Sequence, residues 1–521
     1  MRNVGIFSYS KNDYTKFFYT INKKNYLFRL TFVNADGISV DFQKGAVKEL
    51  FINDNVYSPF LKSYIVIENT DDVIERYVSD PTLKEFTNTP IERGYRTRGD
   101  ARDLVLMTII PIEGGMNPYN EQGRDYCRAF GLQYVFCISN EEDILTADGK
   151  RKKYDLIDFD EEILTEKKIF FSSTQLLKTP DAAFLTDNQR EVFTGDILKS
   201  ILQTGLEEKN VVFSTLSGNN YVTPYFESGA SKLFYSSPNN NTALDDLEYI
   251  YNLHVSNSPG KDFSFLQKDH FTGEYVLESV SSIFSKSYNK KSDSGGLYFL
   301  ENLSIAGTQD SSNVMENDIK KPLRALEFGE TGDVINIKFF NTPGRTYQEE
   351  IRSILVHSYN FEDKLFSINC VDGDIEKVKQ DFSELYVDVM KGKDNRPTPN
   401  FILNNTQKTN KNFDNVFLPF EEHGEALKLS LGRNRILKNA LRLNLGVEII
   451  TQGGLHRQAG KFISVDRKGS YIDNDFDNKF LGIYFIINVE HMFINDNEYV
   501  NKIIAVKTYH FTDLKIKENI S

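Results

Sequence analysis

Residues 158–162 read Asp-Phe-Asp-Glu-Glu, and four carboxylates so close together invite the question of acid–base chemistry. A glycosidase needs two carboxyl groups converging about 5–10 Å apart across a cleft. Carboxylates adjacent in sequence are expected instead as a solvated turn. The seven histidines are His254, His270, His357, His423, His456, His491 and His510. They include no pair four residues apart and no His-Glu-x-x-His, the helical spacing that would hold zinc. His491, between Glu490 and Met492, reads as a core or rim histidine of a strand. Cys127 and Cys137 stand ten apart without a neighbouring histidine, a poor metal spacing, and read as buried strand positions.

Two loops imitate ligand sites. Gly454–Lys461 resembles a phosphate loop, but it is one residue too long and is followed by Phe462. It also lies between strands, so no helix N-terminus faces a phosphate. Asp473-Asn-Asp475-Phe-Asp477 imitates the start of a calcium loop, yet Asn478 and Tyr484 occupy the positions that require Gly and Glu. No Gly-x-Ser-x-Gly elbow occurs. Lys150–Lys153 reads as a hairpin tip in solvent, the functional alternative being contact with an acidic partner subunit. No catalytic, cofactor-binding or metal-binding residue is assigned, and the expectation is a protein that is not an enzyme.

The elements around these residues are mostly strands. Tyr26–Val33, Ile38–Phe42, Ala46–Ile52, Ser63–Glu68 and Leu104–Ile110 alternate apolar with polar and are separated by turn residues such as Asp36-Gly37. Phe130–Ser139, Lys168–Ser173, Asp333–Asn341 and Lys364–Val371 are further strand candidates. Asn188–Gly205 is expected as a helix, with Val192, Phe193, Ile197, Leu198, Ile201 and Leu202 on one stripe and Gly205 as its stop. Thr242–Val255 is a second helix, capped by Thr242 with Asp245 three residues on, and with Leu244, Leu247, Tyr251 and His254 inward. Asp374–Met390 and Glu421–Lys438 are also read as helices. Asn289–Gly296 is a loop, and Lys391–Asn415 is the clearest linker. Four segments in Ala440–Phe511, rich in Ile, Val, Phe and Tyr, read as an antiparallel barrel or sandwich.

Composition narrows the classes. A chain of 521 residues has room for two to four domains. The net charge of −13 disfavours a general nucleic-acid binder, which needs basic surface against phosphates. No window approaches the roughly 18 consecutive apolar residues of a membrane span, and the N-terminus has no apolar leader. Three cysteines, Cys127, Cys137 and Cys370, argue against a disulfide framework and for assembly in a reducing cytoplasm.

Gly482, Tyr484, Ile486, Val489, His491 and Phe493, followed by Tyr499 and Val506–Tyr509, resemble the second tube-type domain of the baseplate central hub proteins of contractile-tailed bacteriophages, a family also found in contractile injection systems. That resemblance implies an α+β, β-dominated fold: two tail-tube-like antiparallel β-barrel domains separated by a mixed α/β middle region. The implied division is an N-terminal arm (1–24), a first barrel (25–112), a middle region of two subdomains (113–390), a polar linker or insertion (391–420), a helix with the second barrel (421–513) and a tail (514–521). Extra sequence is expected at 88–122, 289–317 and 391–415. The resemblance further implies a homotrimer whose six barrels join a threefold central spike protein to the sixfold tail tube or tube-initiator protein. Baseplate wedge proteins would contact it, and DNA or a tape-measure protein would pass through its lumen without specific binding. Its place would be the virion baseplate, assembled in the bacterial host cytoplasm, with no cofactor. The readings from other classes are a tail-associated carbohydrate-binding module, against which the absence of Trp counts, and a glycoside hydrolase.

Overall fold

The computed structural model describes residues 18–21, 24–33, 39–42, 46–68, 103–112, 132–147, 149–169, 171–177, 191–206, 222–223, 226–257, 263–270, 273–280, 282–283, 299–304, 324–327, 334–340, 446–455, 457–466, 482–494 and 498–507. The expected elements at 289–296, 364–371, 374–390, 391–415 and 421–438, the acidic loop at 473–477 and Cys127 and Cys370 lie outside them.

The N-terminal strands are β1 (Phe18–Ile21), β2 (Lys24–Val33), β3 (Ser39–Phe42), β4 (Val47–Asn55), β5 (Ser58–Glu68), β6 (Leu104–Ile112), β7 (Leu132–Thr146) and β8 (Gly149–Asp158). They pair in the order β1-β2-β6-β7-β8-β5-β4, with β3 also on β2 and every contact antiparallel. Alternation along each strand sends one set of side chains to one face. Leu30, Phe32, Leu50, Ile52, Ile65, Val105, Met107, Phe136 and Tyr154 build one core. In β7 the opposite face is buried too, because Val135 and Cys137 join a second core under the helices of the middle region.

That middle region holds α1 (Phe159–Glu166), the two-residue strand β9 (Val192–Phe193), α2 (Thr194–Gly205), β10 (Lys232–Leu233), α3 (Ala243–Asn252), β11 (Ser264–Lys268) and β12 (Tyr275–Ser279). Ile197, Leu198, Ile201 and Leu202 form the buried stripe of α2, as their spacing requires. The helix begins at Thr194 rather than near Asn188, because Val192 and Phe193 pair with Leu233 and Lys232. A Cβ on Gly205 would lie 2.4 Å from the Leu164 side chain, so the close approach of α1 and α2 requires glycine there. Thr242 and Asp245 form the expected capping box of α3, but the fully inward residues are Ala243, Asp246, Leu247 and Ile250, with Leu244 and Tyr251 only partly buried. Residues 168–169 and 171–173 are not a strand; apart from an isolated bridge between Ser172 and Ser236, they lead into a single 3-10 turn, Ser173–Leu176.

The remaining strands are β13 (Phe299–Ser304), β14 (Arg324–Glu327), β15 (Val334–Phe340), β16 (Gly446–Gln452), β17 (Phe462–Asp466), β18 (Gly482–Ile494) and β19 (Glu498–Lys507). β15-β16-β19-β18-β17 are antiparallel neighbours, while β13 lies parallel to β17 and β14. Val447, Ile449, Ile463, Tyr484, Ile486, Val489 and Ile503 form their core.

The β-dominated architecture agrees with expectation, but the described strands close no barrel. β4 gives its second edge to β18, from Glu49 opposite Ile494 to Asn55 opposite Asn488, and the result is one 15-stranded sheet. Aromatic packing follows the same joint: Phe28 meets Phe493 and Tyr26 meets Tyr499. Lys150–Lys153 also differ from expectation. They lie within β8, hydrogen-bonded to β7, and Ala147 is the described turn residue, next to the closing Thr146–Gly149 pair.

Candidate functional site

Asp158 ends β8 and caps α1, its Oδ1 accepting from the Asp160 N–H at 3.0 Å. Capping turns both acids inward, and they are 2% and 0% exposed, so the expected solvated turn is a buried carboxylate pair. Their counter-ion is Lys268 at the end of β11. Its Nζ stands 2.7 Å from Asp160 Oδ2 and 3.1 Å from Asp158 Oδ1. Tyr275, opposite Lys268 in the β11–β12 register, donates its hydroxyl to Asp160 Oδ2 at 2.9 Å and places its ring beside the ammonium. Burial alone would depress the lysine pKa, but the two carboxylates outweigh it and hold the ammonium above its ordinary range. Burial, with the Asp160 charge next, pushes the Tyr275 phenol well up. A cavity of about 20 Å³, lined by Tyr134, Asp158, Lys268 and His270 among others, adjoins the cluster. It holds about one water and no sugar. Sealed against Lys268 in this way, the two aspartates cannot flank a glycosidic bond.

A second polar group begins two residues further on. His270 Nε2 lies 3.2 Å from Asp54 Oδ2 on β4, and Asp54 also accepts from the Ala459 N–H at 2.8 Å. Burial would raise the Asp54 pKa; His270, the Ala459 amide and the more distant His491 together bring it below the usual value. Ala459 belongs to the Gly454–Lys461 turn, which connects β16 to β17 and so is no phosphate loop. Within that turn Arg457 is 1% exposed, its guanidinium donating to the Gln452 carbonyl and, at 2.7 Å, to Asn501 Oδ1.

His491 closes the network from β18. Its Nε2 is 3.1 Å from the Arg457 carbonyl, while Nδ1 is 2.8 Å from both the Tyr499 hydroxyl and Asn501 Nδ2. These contacts fit the neutral ring with its proton on Nε2, donating to the carbonyl and accepting at Nδ1. Burial depresses its pKa to about 4 despite the attraction of Asp54. The core reading of His491 thus holds, and the same holds for Cys137, buried on β7.

A third buried group has the order of a hydroxyl–imidazole–carboxylate relay. Thr194 Oγ1 is 3.0 Å from His254 Nδ1, and His254 Nε2 is 4.0 Å from Glu227 Oε2. Thr194 is fully buried, its hydroxyl also bonded to Ser231 at 2.6 Å. Ser256 and Ser264 hydroxyls and the Asn257 N–H all donate to Glu227. The group fastens the start of α2 to the segment after α3, with the His254 side chain 1% exposed.

Among the described residues, no group of three or more His, Cys, Asp or Glu side chains could hold a metal ion, and no helix is long and apolar enough to cross a membrane. The three groups instead connect elements distant in sequence. Lys268, His270, Asp54, Arg457 and Asn501 were not singled out from the sequence. Period-two alternation does place Asp54 in phase with the buried Leu50 and Ile52, which was the available signal.

No protein-family model and no curated protein matches the chain. Among solved structures it is similar to a tail protein from Neisseria meningitidis MC58, with 8% identity over 93% of this chain and 98% of that one and a TM-score of 0.41. It is also similar to the 43 kDa tail protein of prophage MuSo2 from Shewanella oneidensis, with 8% identity over 92% and 98% of the two chains and a TM-score of 0.40. A third likeness is to an E. coli component of the type VI secretion system, with 8% identity, 89% and 74% coverage and a TM-score of 0.31.

Proposed function

We propose that the chain is a structural virion protein: a trimeric baseplate hub that joins a threefold central spike to a sixfold tail tube and surrounds the channel for DNA or a tape-measure protein. The observation that carries this is the pairing of β4 with β18, which sets the two β-rich ends side by side although more than 400 residues separate them. Two tube-like modules in one subunit need such a placement if three subunits are to present six similar units. The sheet also leaves edges at β1, β3, β14 and β15 without a second neighbour among the described strands. Covering such edges with adjacent subunits turns an aggregation hazard into a ring contact. The partners in this reading are two further copies of the chain, the spike, the tube or its initiator, and baseplate wedge proteins. An acidic chain would line the lumen without binding the nucleic acid that passes. The hub of a phage-like contractile injection system is the same proposal in another machine.

Light scattering of the purified chain, alone and with its spike, tests the proposal. A mass near three times 59.9 kDa for the chain alone, or three copies plus the mass of the spike when the spike is present, is the expected result. A monomer that ignores the spike would overturn it and favour a carbohydrate-binding or enzymatic module.

A further inference from the structure

Lys268, Asp160 and Asp158 have a geometry that serves a covalent bond as well as an ion pair. The attacking nitrogen and the carboxyl group are already in contact, with Nζ 2.7 Å from Asp160 Oδ2. A second carboxylate touches the same nitrogen, Asp158 Oδ1 and Oδ2 lying at 3.1 and 3.3 Å. The Tyr275 hydroxyl donates to Asp160 Oδ2 from 2.9 Å. The Lys268 and Asp160 side chains are 7% and 0% exposed, so bulk water, which would favour the separated ions, is excluded. Holding reactants in contact in a fixed orientation replaces a bimolecular encounter by a unimolecular step.

We propose that Lys268 and Asp160 condense spontaneously into an intramolecular isopeptide bond, with Asp158 as the catalytic proton carrier. A proton first passes from the Lys268 ammonium to Asp160 Oδ1, leaving a neutral amine beside a carboxylic acid. Nζ attacks Cγ, and the oxyanion that develops on Oδ2 is held by the Tyr275 hydroxyl. Asp158 takes a proton from the nitrogen and returns it to Oδ1, and the Cγ–Oδ1 bond breaks. The products are one amide and one water, with no oxidant or activating group required. The adjoining cavity of about 20 Å³ has room for the departing water. The two carboxylates keep Lys268 mostly protonated, so the step is slow, but each chain needs only one turnover. The bond would fasten β11, and through it the middle region, to the junction of β8 and α1. A joint of that kind suits a protein that bears load.

The test is the intact mass of the folded full-length chain, followed by tandem mass spectrometry of its digest. The expected result is a mass lower by one water and a branched peptide joining Lys268 to Asp160. Lys268→Arg, whose guanidinium is not a nucleophile, should keep the full mass. Asp160→Asn should lose ammonia instead of water and arrive at the same final mass as the unaltered chain, an outcome that mere structural tolerance does not produce. A folded chain at its full sequence mass would overturn the proposal. So would a water loss that maps to an Asp-Gly pair such as Asp148-Gly149, where ring closure to a succinimide loses the same mass. The mass is read independently of the oligomeric state, so this inference and the hub proposal can fail separately.

Discussion

Strand β8 carries charge at both ends, and the two ends differ in everything except chemistry. At its start, Lys152 and Lys153 face Glu141, Asp143, Glu142 and Asp155 across and along a hairpin whose acids reach 75% exposure. At its end, Asp158 meets Lys268 with both side chains at 7% exposure or less. Water screens the first set and would replace any partner that is lost. The second set has no such substitute, because removing one ion leaves the others stranded in a medium that solvates them poorly. The same residue types therefore decorate one end of the strand and hold the fold together at the other.

The largest expected effect follows from that contrast. Lys268→Met keeps the volume of the stem and strands two aspartates, which should destabilise the protein by about 3–5 kcal/mol in denaturant unfolding. If the native chain holds the amide, the loss should be larger, because a cross-link over so long a loop also constrains the unfolded chain. A loss under about 1 kcal/mol would mean that water reaches the cluster, and the contrast between the two ends of β8 would collapse.

The His491 network sharpens the contrast, because it is buried polar chemistry built around an uncharged ring. His491 has a pKa near 6.5 when exposed and about 4 in the fold, so between these values the unfolded chain binds the proton more readily. Its stabilising contribution is complete above about pH 6.5 and is withdrawn as pH falls toward 4. The total is on the order of 3 kcal/mol from a shift of this size. Asp54, depressed in the fold, acts in the same direction further down: its contribution is present above the ordinary carboxylate value and is lost as pH falls through the lowered one. Thermal unfolding measured from pH 7 to pH 4 should show the decline, and His491→Gln should flatten its upper part. An unchanged slope in that variant would place the titration elsewhere.

What the sequence disclosed depended on how far apart the interacting residues stand. Val47–Asn55 was legible because burial on one face imposes period two from Leu50 onward, and Gly482–Ile494 because a run of β-branched and aromatic residues marks a strand buried on both faces at Tyr484–Ile486. The capping box of α3 was legible because Thr242 and Asp245 are three residues apart. Val192 and Phe193 misled, since a two-residue strand leading into a helix carries the same apolar types as another turn of that helix. Asp158–Glu162 misled more seriously. An acidic run is ordinarily solvated, and nothing local reveals that the counter-ion lies 110 residues away at Lys268. The joint between the two β-rich ends, with Ala459 bonded to Asp54 across 405 residues, was equally out of reach. Local rules find elements, whereas buried charges are explained only by partners that folding brings in.

The smallest expected effect completes the comparison at the exposed end of β8. Lys153 lies 3.0 Å from Asp155 and 3.8 Å from Glu142, contacts as short as some in the buried cluster. If distance set the energy, Lys153→Ala would rival Lys268→Met. Solvent exposure should reduce it instead to roughly 0.5 kcal/mol, the scale of ordinary surface pairs. That difference should shrink further in high salt, which screens exposed charges and leaves buried ones largely untouched. A salt titration of both variants therefore separates the two ends: the Lys153→Ala deficit should fade as ionic strength rises, while the Lys268→Met deficit should persist. A Lys153→Ala loss of 2 kcal/mol or more, insensitive to salt, would show that the hairpin's ion pairs hold the fold as firmly as the buried cluster does.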